Sequence, residues 1–73
     1  MTIEHRTAHV EGVTGLVTSC FQCSELKPET AGVIFESATS TVMDYMGAEI
    51  AARAHDTHFP KHMIVVFEFK PLS

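Results

Sequence analysis

The sequence predicts one small α+β domain, ordered β-β-α-β, in which a three-stranded antiparallel sheet carries one helix on one face. Three observations predict it. Two β-compatible stretches flank Glu11-Gly12 near the start, and apolar residues recur at spacings of three and four across 31–54. A nearly unbroken apolar run fills 62–69 and is closed by Pro71. At 73 residues the chain is one domain, 1–73, with no internal repeat, low-complexity tract or linker-like stretch.

Each element has its own justification. Residues 2–10 hold Thr2, Ile3, Thr7 and Val10, and residues 13–21 read VTGLVTSCF, both suited to strands. Gly12 can take positive φ, so Glu11-Gly12 is read as a tight connection and the two strands as a hairpin. Gly15 marks a bulge or a widened turn. Residues 24–30 (SELKPET) read as a loop feeding a helix, with Pro28 at the first helical position and Glu29 at the positive end of the dipole. The helical stripe is Ala31, Phe35, Ala38, Val42, Met46, Ile50 and Ala54.

The first half of that stripe is conflicted. Gly32, the β-branched pair Val33-Ile34 and the hydroxyls of Ser37, Thr39, Ser40 and Thr41 all lower helix propensity. One helix across 28–55 is the expected form. The competing form is a short strand at 31–36, followed by a shorter helix that a Thr41–Asp44 capping box opens. Phe59-Pro60 ends the helix in either case.

The last strand carries the strongest demand. Met63, Val65, Phe67 and Phe69 fall on one face, and Ile64, Val66 and Glu68 on the other. Both faces are mainly apolar, and one helix covers only one. The sequence therefore predicts a homodimer or an obligate protein partner, with Ile64, Val66 and Glu68 as the self-association residues.

Composition bounds the function. Apolar residues make up 45% of the chain and mean hydropathy is +0.12, which excludes a disordered tail. No run is long enough for a membrane helix and residues 1–12 lack a secretory leader, so the expectation is a cytoplasmic protein with no membrane partner. Five basic residues against nine acidic give a net charge of −4, the wrong sign for direct nucleic-acid binding. Most of the acidity lies in the middle third, where Glu25, Glu29, Glu36, Asp44 and Glu49 form the candidate partner-binding set. The first functional expectation follows: a small, acidic, non-catalytic regulatory protein that occupies a partner's basic surface. Small phage or mobile-element inhibitors act in this manner, an analogy of size and charge alone.

The second expectation is a zinc-stabilised module. Cys20-Phe-Gln-Cys23 can supply two thiolates from one turn, and His58 and His62 are four apart. Pro60 falls between those histidines and argues against their sharing a helix, yet the end of the second strand and the start of the last can be neighbours. The same cysteines as a redox pair would need a helix beginning at the first of them, and the sequence reads as a loop there. His55-Asp56 beside His58 suggests acid–base work, but no nucleophile motif accompanies them. An enzyme using Cys–His chemistry is the third and weakest expectation.

Overall fold

In a computed structural model, residues 3–26 and 32–72 are described; for residues 24–26 only the backbone is. The described elements run β1 (Ile3–His9), β2 (Gly15–Cys20), α1 (Phe21–Leu26), β3 (Val33–Ser37), α2 (Val42–His58) and β4 (Ile64–Lys70). The four strands form one mixed sheet in the order β1-β4-β2-β3, with α2 packed on it. The α+β class stands. The three-stranded antiparallel sheet does not.

The expected hairpin is split. Gly12 turns the chain with φ +72°, but β4 lies between β1 and β2, so the two strands do not pair with each other. β1 pairs β4 in parallel, from Ile3 opposite Ile64 to His9 opposite Lys70. β2 pairs β4 antiparallel, from Gly15 opposite Phe69 to Cys20 opposite Ile64. Burial explains the order. β4 (IVVFEFK) is apolar on both faces and takes an interior position, whereas β1 carries Glu4, His5, Arg6 and His9 and takes an edge.

The expected helix over 28–55 is likewise corrected. Residues 27–31, with Pro28 and Glu29, lie outside the described residues. Residues 33–37 form β3, antiparallel to β2, as β-branched Val33-Ile34 and aromatic Phe35 favour. α2 then opens on the capping box. The Thr41 hydroxyl accepts from the Asp44 amide at 3.2 Å, and the Asp44 carboxylate accepts from the Thr41 amide at 2.9 Å. The hydroxyls that weaken a helix thus serve as its start: Ser37 donates to Asp44 at 2.8 Å, and Thr39 also bonds that carboxylate. These bonds hold the Asp44 carboxyl well below the usual carboxylate range.

Two glycines are sterically required. Gly15 sits at φ +131°, and a Cβ there would collide with the carbonyl oxygen of Ser37. Gly47 lets α2 settle on β3, since a Cβ would lie 2.7 Å from the Phe35 ring. The core between α2 and the sheet is Leu16, Ala48, Ala52, Ile64 and Val66, flanked by Ile3, Ile34 and Phe35. Thr18, fully buried, donates to the Ala48 carbonyl at 3.2 Å and so satisfies its own hydroxyl.

The covered face of β4 is the opposite of the expected one. Ile64 and Val66 are 0% and 4% exposed beneath α2, so neither is available to a second chain. Glu68 shares their face, and its carboxylate accepts from the Tyr45 hydroxyl, which raises the tyrosine pKa. The helix-free face holds Val65, Phe67 and Phe69, with Phe67 and Phe69 stacked at 6.2 Å. No helix among the described residues is long and apolar enough to cross a membrane.

Candidate metal centre

Four side chains from four places in the chain converge at one end of the sheet. Cys20 is the last residue of β2 and directly precedes α1. The loop expected after the cysteines is therefore a short helix, and the Cys23 amide donates to Cys20 Sγ at 3.4 Å. That bond places Cys20 as the helix cap and points both sulfurs to the same side. Both cysteines are thiols; Cys20 is buried and Cys23 half-buried.

The histidines come from the far side of the fold. His55 lies in the last turn of α2, and His62 lies in the connection to β4. The Phe59 amide donates to the His55 carbonyl at 2.8 Å and the His62 amide to the Phe59 carbonyl at 3.0 Å. Those two turns fold the chain back so that the imidazoles face each other, with the Phe59 ring stacked on His62 at 4.8 Å and tilted against His55 at 4.9 Å. The two halves are tied together by a pair of bonds. Phe21 donates its amide to the Met63 carbonyl at 3.0 Å, and the Gln22 side-chain oxygen accepts from the Met63 amide at 2.8 Å.

The donor atoms of Cys20, Cys23, His55 and His62 all lie within 4.8 Å of one another. Cys20 Sγ is 3.3 Å from His62 Nδ1. Cys23 Sγ is 3.7 Å from His55 Nε2 and 3.9 Å from His62 Nδ1. The facing nitrogens of His55 and His62 are 3.3 Å apart. A tetrahedral zinc with bonds of about 2.3 Å to sulfur and about 2.0 Å to nitrogen has S···N edges of roughly 3.5 Å and an N···N edge of roughly 3.3 Å. The three S···N separations of 3.3, 3.7 and 3.9 Å and the N···N separation of 3.3 Å lie within a few tenths of an ångström of those edges. Burial, reinforced by the neighbouring His62 ring, lowers the His55 pKa, and the neighbouring Asp56 opposes the shift. The favoured form is the neutral imidazole, which is the form that ligates.

The sequence-nominated ligand His58 is not in this cluster. It is exposed at the end of α2, one turn beyond His55. Spacing pointed to His58, but the chain leaves the helix before His62, so the i,i+4 relation never exists in space and His55 is the histidine that joins the cluster. Pro60 already argued against a shared helix; what the sequence did not supply is which histidine of the last helical turn faces His62, and the structure places His55 there. Beside the cluster, Asp56 is 7% exposed, and its Oδ1 is buried with no hydrogen-bond partner among the described residues.

Among the described residues, Glu36, Asp44 and Glu49 of the acidic set do not share one surface. Glu36 is on β3, opposite Val17 and so on the helix-free side. Asp44 is engaged in the capping box. Glu49 pairs with His5 and lies 3.9 Å from Arg53. Glu29 lies outside the described residues, as does the side chain of Glu25. No protein-family model matches this chain, and neither the curated proteins nor the solved structures contain a match to it.

Proposed function

We propose that this chain is a small zinc-stabilised structural module, in which Cys20, Cys23, His55 and His62 hold one Zn²⁺. The single observation behind the reading is the mutual approach of two thiol sulfurs and two imidazole nitrogens, all within 4.8 Å of one another. Two sulfurs and two imidazole nitrogens are the donor set that suits zinc over oxygen-seeking cations. All four positions come from the protein, so no site is left open for water or substrate, the mark of a structural centre.

The physical role follows from where the ligands sit. The metal would join the end of β2, the start of α1, the last turn of α2 and the entry to β4. The buried hydrophobic cluster under α2 comprises Leu16, Ala48, Ala52, Ile64 and Val66, two of them alanines. Chains of this size commonly need a disulfide, a metal or a second subunit to remain folded. Free energy of metal binding becomes free energy of folding when the site exists only in the folded chain. Metal analysis of untagged protein purified without added zinc tests the reading: one zinc per chain supports it. Metal well below one equivalent, with melting unchanged by chelator, overturns it.

A further inference from the structure

The cysteine pair offers a chemistry that a purely structural clamp does not use. The sequence reads as a loop after Cys20, but α1 opens directly after it, at Phe21. Cys20 and Cys23 therefore stand three residues apart at a helical turn, where Cα atoms are about 5 Å apart. A disulfide spans roughly 4.4–6.8 Å between Cα atoms. The two sulfurs lie no more than 4.8 Å apart, beside both imidazoles. Their exposure differs. Cys20 is 0% exposed, whereas Cys23 is half-buried and open to a small oxidant.

We infer that the centre is a redox switch, in which hydrogen peroxide joins Cys20 to Cys23 and so releases the metal. The inference rests on the zinc reading above. The Cys23 thiolate attacks one peroxide oxygen, forming a sulfenic acid and expelling hydroxide. The Cys20 thiolate then attacks the Cys23 sulfur: the S–S bond forms, the S–O bond breaks and a second hydroxide leaves. Two solvent protons turn the hydroxides into water, and two electrons have passed from sulfur to peroxide. Of the four donors only His55 and His62 then remain, too few for a four-coordinate site.

The disulfide does not replace what the metal joined. It closes a loop within one turn, whereas the four ligands reach from β2 and α1 to α2 and the entry of β4. The last turn of α2 loses its metal link to the β2–α1 corner. That corner keeps its bonds from Phe21 and Gln22 to Met63, so oxidation loosens α2 while β2 and β4 stay paired.

The test adds near-equimolar hydrogen peroxide to untagged, reduced protein whose zinc content has been measured beforehand. A colorimetric chelator reads released zinc, and intact mass reads the cysteines. The expected result is one zinc lost per disulfide formed, a chain lighter by two hydrogens than its reduced form, and a lower Tm. Thiol reductant with added zinc restores metal, mass and Tm, and a 1,3-diketone trap labels Cys23 and not Cys20. Met43 and Met46, 74% and 52% exposed, are the competing targets, and their oxidation adds oxygen to the mass instead. A zinc-loaded chain that keeps its metal while only methionine is oxidised overturns the switch and leaves the zinc reading standing. Release without a Cys20–Cys23 disulfide, or a trap that labels Cys20, overturns the switch as well. A chain that holds no zinc before peroxide is added fails the zinc reading, and the switch falls with it.

Discussion

Replacing His55 and His58 separately by alanine distinguishes the ligand the fold selects from the one that spacing suggests. The two residues stand one turn apart at the end of α2, but only His55 presents a nitrogen to Cys23 and His62. Structural zinc contributes an apparent ~10–16 kcal/mol in finger-sized peptides. A chain of 73 residues has a total stability of only about 4–11 kcal/mol. Losing one of four ligands therefore removes a large share of what keeps this fold together. A loss of even ~3 kcal/mol lowers Tm by about 12–24 °C, given about 4–8 °C per kcal/mol in domains of this size. His58→Ala, at an exposed position, changes stability by less than about 0.5 kcal/mol. Thermal unfolding followed by circular dichroism, with zinc content measured on the same samples, reads both effects. Repeating the melts in chelator completes the test, because the gap between the variants should shrink once neither holds metal. Equal Tm values with zinc present, a larger loss at His58, or a gap that persists undiminished in chelator would refute the reasoning.

Three further outcomes follow from the geometry. The folded pKa of Asp44 lies below its ordinary value of 3.8, so the stability it contributes is complete above that pH and is lost as pH falls through the depressed folded value. Asp44→Asn should therefore flatten the acid limb of a Tm-against-pH curve, and an unchanged limb would count against the capping box as its source. Gly15→Ala should cost about 1–3 kcal/mol in chemical denaturation, because its φ of +131° and the nearby Ser37 carbonyl leave no room for a Cβ; a neutral result would mean that β2 and β3 separate there. Asp56→Ala continues the Ala48-Ala52 row and removes a buried carboxylate with an unbonded oxygen near a helix C-terminus. It should stabilise the protein by about 1–2 kcal/mol, and a lower Tm would show that the carboxylate supports the metal centre instead.

How much of this was legible in the sequence depends on whether the determining interaction was local. The Thr41–Asp44 box, the stop at Phe59-Pro60 and the strand ending at Pro71 are short-range chemistry, and each is where the residues indicated. The position of β4 between β1 and β2 was not legible as a pairing. It was legible as a requirement, since a strand apolar on both faces belongs in the interior of a sheet. The stripe from Ala31 to Ala54 misled because Phe35 and Val42 fit a helical period while belonging to different elements. Val33-Ile34 and the hydroxyls that follow were the better guide, and tertiary pairing with β2 decided in their favour. At the proposed metal centre, Cys20, Cys23 and His62 were readable from residue type and approximate topology. The fourth member of the cluster was not, because choosing His55 over His58 depends on which side of the last helical turn faces the sheet. Met46 and Ile50 belong to that same stripe, yet both are exposed on the outer side of α2.

Zinc-edge X-ray absorption on the purified protein tests the central claim most directly. The account predicts two sulfur scatterers at about 2.3 Å and two nitrogen scatterers at about 2.0–2.1 Å, with no oxygen in the shell. A six-coordinate shell rich in oxygen, or a sulfur count that survives unchanged in Cys20→Ser and Cys23→Ser, would contradict it.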